Sequence, residues 1–394
     1  MNSSQENEPE CEDSPPIKSW DQMNLKDDLL RGIYSNGFET PSEIQKKAII
    51  PLSKGKDLLA QAQSGSGKTG SFTIGSLQII DVSIKQTQVL ILVPTHELAR
   101  QITLVVQSIG SVMKGLVVKT IIGGTSVRED VQSMEANVPH LIVGCVGRVC
   151  DMISKRYIDT TQLKLLVLDE ADEMLTQGFG NQIRFMFKSF FPEKIQVALF
   201  SATMPDEMVA LTRNILRNPV QIRVKLEDLS LKAIDQYYIA VTDDNMKYSV
   251  LKDLFAKISV SKCIIYCNSV KRVETLGQSM SRDGFSVCCI HSGMEKQERT
   301  DIFNQFRNGQ QRALVSSDIT ARGIDIQQVS VVVNFDVPKS EHTYLHRIGR
   351  SGRWGRKGFA INLVSRHDIQ YIQKIETNYK ITIQEMPANF DGKI

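Results

Sequence analysis

The residues best suited to chemistry form a glycine- and serine-rich stretch that ends in Gly-Lys-Thr at residues 67–69. Glycines allow backbone N–H groups to turn toward an anion, and the following helix N-terminus adds its positive dipole end. In such a loop Lys68 would reach the β- and γ-phosphates of a nucleotide and Thr69 would hold Mg²⁺. The pattern is imperfect because Ala62 replaces its first glycine, and a plain surface loop is the alternative. The predicted cofactor-binding residues are Ala62, Gln63, Ser64, Gly65, Ser66, Gly67, Lys68 and Thr69.

A second chemical signal follows about a hundred residues later, a spacing ordinary for one α/β domain. The apolar run 164–168 leads directly into Asp169-Glu170-Ala171-Asp172. An unbroken apolar run is typical of a strand buried on both faces of a parallel sheet, and ligands bind at the carboxyl ends of such strands. A solvated helix start is the alternative. Beside a phosphate loop, the pattern predicts an ATP site in which Thr69 and Asp169 hold Mg²⁺ and Glu170 polarises the attacking water.

Composition describes an ordinary globular protein. The chain has 394 residues, 41% hydrophobic and 23% charged, which favours two or three domains. The net charge of +3 is too small to argue for nucleic-acid binding, so any basic surface must be local. The seven cysteines form no CxxC pair, which indicates core thiols in a reducing compartment and neither a zinc site nor a disulfide framework. No apolar run has membrane-spanning length, and no targeting signal is evident at the N-terminus.

Hydrophobic patterning predicts an α/β fold with two successive parallel sheets. An acidic tail is expected at 1–19, a first domain at 20–222, a linker at 223–233 and a second domain at 234–394. Strands alternate with helices, which favours parallel sheets covered by helices on both faces. The predicted strands are 56–62, 88–94, 117–122, 140–144, 164–169 and 196–201 in the first series and 234–241, 262–267, 285–290, 312–316, 329–334 and 357–364 in the second.

The second series contains no phosphate loop but ends in a basic run, His346-Arg347-Ile348-Gly349-Arg350-Ser351-Gly352-Arg353. The arginines are three residues apart, which predicts one face of a helix. Such runs are commonly solvated surface. Here the first domain needs positive charge to stabilise a transferring phosphoryl group, so Arg350 and Arg353 are predicted to act as arginine fingers across a cleft.

These motifs, together with Ser201-Ala202-Thr203 and Ala321-Arg322-Gly323-Ile324-Asp325, resemble the DEAD-box RNA helicases. The resemblance covers nearly everything from Trp20 onward, in the family's order. Within the family, the chain is similar to the eukaryotic translation initiation factor 4A subfamily. The resemblance implies two tandem RecA-like parallel-sheet domains joined by a short linker.

The resemblance also assigns roles that composition leaves open. It implies that Pro41 and Gln45 read adenine and that Trp20, in place of a family phenylalanine, stacks on it. It places Gly323 and Asp325 at the nucleotide. It implies that Ser201, Thr203 and Asp172 couple the ATP site to RNA and that His346 and Arg347 couple the second domain to the first. It implies an RNA-binding set that grips sugar and phosphate without sequence information. That set is Pro94, Thr95, Gly124, Gly147, Arg148, Asn268, Ser269, Arg299 and Ser317.

The sequence departs from the family pattern mostly on the RNA side. His96 replaces an arginine, Cys145-Val146 replace Thr-Pro, Val270 replaces an arginine, and Ser292-Gly293 replace Gly-Asp. One lost hydroxyl–phosphate hydrogen bond costs about 0.5–1.5 kcal/mol. Two hypotheses stay open: a weakened or retuned RNA grip with preserved ATP binding, and drift without functional change.

The predicted function is ATP-dependent RNA unwinding of the initiation-factor type, with ATP and Mg²⁺ as cofactors. The alternative is an ATP-gated RNA clamp that turns over slowly and scaffolds partners. A P-loop kinase or transporter ATPase is disfavoured because neither needs the second domain's arginines. By the same resemblance we expect single-stranded or structured RNA and a HEAT-repeat initiation scaffold as partners, no membrane, a monomer, and a cytoplasmic location with the nucleus also open.

Overall fold

Parallel strand pairing organises the chain into two seven-stranded sheets in the computed structural model, which describes residues 17–62, 66–223, 234–257, 262–318, 329–351 and 358–387. The first sheet has the order β3-β4-β2-β5-β6-β1-β7 and the second β10-β11-β9-β12-β13-β8-β14, where strands are numbered along the chain. The strands of the first sheet are β1 Leu58–Gln61, β2 Val89–Val93, β3 Val118–Ile121, β4 Leu141–Cys145, β5 Leu165–Asp169, β6 Gln196–Ser201 and β7 Val220–Arg223. Those of the second are β8 Ile234–Ala240, β9 Cys263–Tyr266, β10 Val287–Ile290, β11 Ala313–Ser316, β12 Val331–Asn334, β13 Gly358–Val364 and β14 Gln384–Glu385.

Helices cover the first sheet on both faces. They are α1 Asp27–Ser35, α2 Glu43–Ser53, α3 Lys68–Ile79, α4 His96–Ile109, α5 Val127–Ala136, α6 Val146–Ser154, α7 Ala171–Thr176, α8 Gly180–Ser189 and α9 Asp206–Ile215. One face packs an apolar cluster against α1 to α4, and the other packs a cluster against α5 to α9. The central strands β2, β4, β5 and β6 are buried along their whole length because both faces are covered.

The second sheet is covered by α10 Lys247–Lys257, α11 Val270–Arg282, α12 Lys296–Arg307, α13 Glu341–Ile348 and α14 Ile369–Tyr379. Short 3₁₀ turns lie at Trp20–Met23, Gly110–Val112 and Asp244–Met246. None of the helices in the described part of the chain is long and apolar enough to cross a membrane.

The predicted fold class, two tandem parallel-sheet domains, is confirmed. Strand patterning missed β7 and β14, which are the outermost strands on one side of each sheet. Both are short, and most of their residues are partly or fully exposed. An edge strand with one covered face leaves no continuous apolar run, which is the signal that revealed the inner strands.

Candidate active site and RNA interface

Three motifs meet at one edge of the first sheet. Gln61 at the end of β1 lies opposite Ser201 at the end of β6, and Asp169 at the end of β5 lies opposite Phe200. Parallel pairing therefore places the phosphate loop, the acidic tetrad and the Ser-Ala-Thr motif side by side. This is the edge where open α/β sheets bind ligands.

The start of α2 packs directly against the phosphate loop. Gln45 is buried, its amide nitrogen lies 3.3 Å from Gly67 O, and its Oε1 accepts from Ser42 N at 2.7 Å. The Ser42 hydroxyl donates to Ser66 O at 2.9 Å. Gly67 has φ +102°, and a Cβ there would lie 2.5 Å from Ser42 Oγ, so no larger residue fits. Pro41 is buried immediately before this pair.

Lys68 and the carboxylates form a buried charged cluster. The Lys68 ammonium donates to Ala62 O at 2.8 Å. Glu170 has φ +53°, an uncommon conformation for a residue other than glycine, and its N–H donates to Asp169 Oδ1 at 3.0 Å. Strained backbone of this kind concentrates at functional sites.

Burial shapes the acidity of these carboxylates. The pKa of Glu170 is raised to about 7, first because burial disfavours its charged form and then because the Asp169 carboxylate lies nearby. The cations Lys68 and Arg350 oppose this shift. Burial also raises the pKa of Asp169, against the attraction of Lys68. A carboxylate whose pKa lies near neutrality is suited to accept a proton from water.

A hydrogen-bonded chain links the loop to the Ser-Ala-Thr motif. Ala62 N donates to Ser201 O at 3.0 Å, and the Ser201 hydroxyl donates to Thr203 O at 2.7 Å. The Thr203 hydroxyl then donates to Asp172 Oδ2 at 2.7 Å. These buried groups connect three strand ends.

Trp20 lies in the core of the first domain. Trp20 is fully buried in the first core cluster, and its indole N–H donates to Phe38 O at 2.9 Å. Its ring meets Phe38 edge to face, with centroids 6.5 Å apart. Phe38 is partly exposed, and its ring lies 3.7 Å from the position of a Cβ at Gly70 in the first turn of α3. The stacking role expected for Trp20 therefore does not fit its burial, and Phe38 is the aromatic ring beside the phosphate loop.

The basic run of the second domain divides between two environments. The predicted single helix face is wrong, because α13 ends at Ile348 and Arg350 lies beyond it. Arg350 is buried, its Nε donates to His346 O at 3.2 Å, and its charge acts on Glu170 of the first domain. Arg350 stays the predicted arginine finger.

Arg347 does not link the domains through the contacts described. Its fully buried guanidinium donates to four oxygens of the second domain: Asp318 Oδ1 at 2.6 Å, Asn334 Oδ1 at 3.2 Å, Asp336 O at 2.7 Å and Asn268 Oδ1 at 2.7 Å. It also lies over the Tyr266 ring. We therefore propose that Arg347 stabilises the core of the second domain, in place of the coupling role predicted for it.

Direct contacts between the domains join α4 and α12. Arg299 Nη2 lies 4.0 Å from Glu97 Oε1, and Arg100 Nη1 donates to Thr300 Oγ1 at 3.3 Å. Arg299, predicted to bind RNA, thus lies at the interface between the domains. Its Nε is buried and has no hydrogen-bond partner among the residues described.

Several predicted RNA contacts of the first domain lie at the edge of its sheet where the parallel strands have their carboxyl ends. Pro94 is buried after β2, and Thr95 caps α4 by accepting from Leu98 N at 3.3 Å. Gly124 is exposed with φ +82°, and Gly147 lies in the first turn of α6. The Arg148 guanidinium donates to Thr125 O at 2.9 Å and to Asp130 Oδ2 at 3.2 Å, so this side chain is held internally.

On the second domain, Asn268 and Ser269 shape the loop before α11. The Asn268 amide donates to Val337 O at 2.9 Å while its oxygen accepts from Arg347. Ser269 caps α11 by accepting from Arg272 N at 3.3 Å. Ser317 follows β11, half-buried, and its N–H donates to Ile290 O.

The departing residues Cys145 and Val146 occupy the start of α6. Cys145 is its N-cap residue and makes no side-chain capping hydrogen bond, and Val146 is the first helical residue, fully buried. Threonine is a favoured cap and proline a favoured first residue, so the departure removes two devices that stabilise this turn.

The donor set fits a magnesium nucleotide. Mg²⁺ prefers oxygen ligands and is bound through one or two protein groups plus phosphates and water. Asp169 supplies a buried carboxylate, Thr69 follows Lys68 in the first turn of α3, and Asp172 Oδ1 is buried without a hydrogen-bond partner among the described residues. No cluster of three or more metal-ligating side chains occurs in the described ranges, so phosphate oxygens would complete the coordination.

Some predicted residues lie outside the described residues: Gln63, Ser64, Gly65, Gly323, Asp325 and Arg353. The same holds for residues 1–16, 224–233 and 388–394. Sequence reasoning missed Phe38 and Ser42 as site residues, although both lie within the stretch that carries Pro41 and Gln45. The feature that could have identified them is their place in the chain. Ser42 is the N-cap of α2, whose N-terminus packs against the phosphate loop, and Phe38 lies shortly before it.

Comparison with known proteins agrees with this geometry. A DEAD/DEAH box helicase family model matches residues 42–211, and a helicase conserved C-terminal domain matches residues 246–355. Eukaryotic initiation factor 4A of Caenorhabditis elegans is 48% identical over 373 residues, covering 95% of this chain and 92% of that protein. The Drosophila melanogaster factor of the same name is 49% identical, covering 94% of this chain and 91% of its own length.

Solved structures agree as well. Saccharomyces cerevisiae Dbp5 bound to RNA and ADP BeF3 is 32% identical, with a TM-score of 0.86 over 95% of this chain and 96% of that one. A DEAD box protein from Methanococcus jannaschii is 29% identical, with a TM-score of 0.57 over 94% of this chain and 99% of that one. The chain belongs to the DEAD-box family of ATP-dependent RNA helicases and is of the eukaryotic initiation factor 4A type.

Proposed function

We propose that the chain binds ATP and RNA across the cleft between its two domains, melts a short RNA duplex locally, and hydrolyses ATP to release the RNA. The observation that carries this proposal is geometric: the phosphate loop, the acidic tetrad and the Ser-Ala-Thr motif meet at one sheet edge, and α12 of the second domain contacts α4 of the first. The positive charge of buried Arg350 in the second domain also favours the ionised form of Glu170 in the first. Such a site is complete when the domains are together, which ties hydrolysis to closure.

In this proposal each residue has a defined task. Lys68 neutralises the β- and γ-phosphates, and Thr69 and Asp169 hold Mg²⁺, which withdraws charge from the γ-phosphate when bound. Glu170 orients the attacking water and takes its proton. Arg350, together with Arg353, stabilises the negative charge that develops on the transferring phosphoryl group.

Coupling to RNA would pass through the Ser201–Thr203–Asp172 hydrogen bonds and the α4–α12 contact. Thr95 caps α4, Gly147 lies in the first turn of α6, and both helices begin at the sheet edge. Backbone N–H groups at helix starts bind phosphate without reading base sequence, and contacts to the 2′-OH would select RNA over DNA.

Partner and compartment assignments rest on family analogy. We propose single-stranded or structured RNA as the substrate, a HEAT-repeat initiation scaffold as the protein partner, a monomeric chain and a cytoplasmic location. The analogy is supported by 46–49% identity with initiation factors 4A and RNA helicases of that name from animals and fungi.

We propose that Phe38, and not Trp20, stacks on adenine, and three substitutions test this assignment. Phe38→Ala should raise the KM for ATP about tenfold with little change in kcat, because the exposed ring supplies stacking of about 1–3 kcal/mol to a base. Phe38→Tyr should retain wild-type KM. Trp20→Phe should lower the free energy of unfolding and leave KM nearly unchanged, since it loses a buried hydrogen bond to Phe38 O. A KM that rises for Trp20→Phe and stays unchanged for Phe38→Ala would contradict this assignment.

The proposed function is tested by the ATPase rate with and without poly-uridine RNA. The unaltered chain should be stimulated by RNA, and the variant Cys145→Thr/Val146→Pro should be stimulated at lower RNA concentration because a better-capped α6 orders Gly147 and Arg148. An equal RNA requirement in both proteins would show that the departures are neutral. A persistent ATP-locked RNA complex without multiple-turnover unwinding would favour the clamp over the helicase.

A further inference from the structure

An exposed phenylalanine on the first domain packs against a half-buried one that borders the core. Phe185 on α8 is 47% exposed, and its ring meets Phe190 edge to face with centroids 5.5 Å apart. The core side of α8 is occupied by Ile183 and Met186, which are fully buried. Phe185 therefore contributes nothing to that core contact. We use the name α8 strip for the surface formed by Gln182 and Phe185 on α8 and by Phe190 directly after it.

The α8 strip begins beside a predicted RNA contact. A Cβ on Gly147 would lie 4.0 Å from Gln182 Oε1 and 4.0 Å from the Phe179 ring. From there α8 runs alongside α6, and the far end of the strip is fixed where the Thr160 hydroxyl donates to Phe190 O at 2.6 Å. At 1.5 Å per residue, Phe185 lies about 4.5 Å beyond Gln182 along α8, and Phe190 follows the end of the helix at Ser189. The α8 strip therefore extends from the predicted RNA contact at Gly147 along the side of the first domain.

Positive charge flanks the strip. Arg184 and Lys188 are exposed one turn apart on α8, and Lys155 and Arg156 are exposed in the segment that leads to Thr160. Lys155 is paired with Asp151 at 2.9 Å, so Arg156, Arg184 and Lys188 are the cations of this flank. Single exposed apolar side chains are common on proteins and need no explanation. Here the aromatic pair occurs together with a basic flank, and the α8 strip begins beside Gly147, in the turn predicted to bind phosphate.

We propose that the α8 strip is an auxiliary RNA-binding surface that takes the single-stranded segment leaving the main track. One base stacks on Phe185, and the phosphates pass Arg184 and Lys188. Aromatic stacking beside a positive groove binds any base, because every base has a π-face. An acidic peptide would also meet the basic flank, but continuity with Gly147 favours a strand that is already bound there. The inference rests on the proposed function, because it extends that RNA path.

RNA length distinguishes the strip from the main track. With a non-hydrolysable ATP analogue, affinity is measured by fluorescence anisotropy for oligouridines of about eight and about twenty nucleotides. Phe185→Ala should weaken binding of the longer RNA about 5- to 100-fold and leave the shorter RNA unaffected. Phe185→Trp should retain the affinity, and Lys188→Glu should reduce the dependence on salt for the longer RNA alone.

Tyr34→Ala is the matched control, because Tyr34 is an aromatic residue 43% exposed on α1, which packs on the other face of the sheet. It should bind both RNAs like the unaltered chain. Wild-type affinity of Phe185→Ala for the longer RNA would overturn the inference and would leave an acidic peptide as the candidate ligand. An equal loss for both lengths would also overturn it as a separate surface. Failure of the unaltered chain to bind either RNA would instead overturn the proposed function.

Discussion

Replacing Glu170 by glutamine is expected to lower kcat for ATP hydrolysis by about 10²–10⁴ while ATP and RNA still bind, because removal of a positioned base costs about that factor. The side chain is buried, lies beside Asp169 and Lys68, and has a pKa raised to about 7 by burial and by the Asp169 carboxylate. Glutamine preserves the shape and cannot accept the proton. Single-turnover hydrolysis, with nucleotide affinity measured separately, checks this result.

The control for this substitution is Glu173→Gln, the same change three residues later. Glu173 is half-buried within α7 and accepts from Gln177 at 2.9 Å, so its loss should leave kcat within about twofold, as expected for a surface substitution. Hydrolysis by Glu170→Gln at the wild-type rate would exclude Glu170 as the base. It would shift the role to Asp169 or to water positioned by phosphate alone.

Arg347→Ala is expected to reduce the free energy of unfolding of the second domain by about 3–5 kcal/mol, because it leaves a buried network of acceptors without their donor. The guanidinium donates to the backbone oxygen of Asp336 and to the side chains of Asp318, Asn334 and Asn268. Calorimetry of the full chain should record a lower unfolding temperature. RNA-stimulated hydrolysis measured at low temperature should persist in part.

Two further variants separate a structural role from a coupling role. Arg347→Lys keeps the charge but has fewer donors in one plane, so its stability should be intermediate. Arg282→Ala, at the exposed end of α11, should leave the unfolding temperature unchanged. Wild-type stability in Arg347→Ala combined with loss of RNA stimulation would contradict the structural assignment and restore the coupling role.

The network also explains how the RNA side of the second domain is held. Arg347 donates to the side-chain oxygen of Asn268, and Asp336 Oδ2 accepts from the Asn268 backbone N–H at 3.0 Å. Arg272 joins the same carboxylate at 2.8 Å, and Lys247 lies 3.7 Å from its other oxygen. The loop before α11 is thus shaped by buried charges that need not touch RNA themselves.

The local chemistry of this protein could be read from its sequence. Lys68, Asp169 and Glu170 each lie in a short motif that directly follows a buried strand, so their meeting at one sheet edge follows from parallel strand pairing. The two-domain fold follows from the alternation of apolar runs and amphipathic segments. These signals are local, because a strand or a phosphate loop is encoded within a few consecutive residues.

Only the tertiary structure decided which member of a pair of similar residues lies at the candidate site and which lies in a core. Trp20 and Phe38 are both aromatic and eighteen positions apart, and core packing buries the first and leaves the second beside the phosphate loop. Arg347 and Arg350 belong to one motif, yet the end of α13 directs one into the second domain's core and the other toward Glu170. Burial is a competition among residues distant in sequence. Periodicity along the chain therefore cannot resolve it, whereas packing of the assembled elements does.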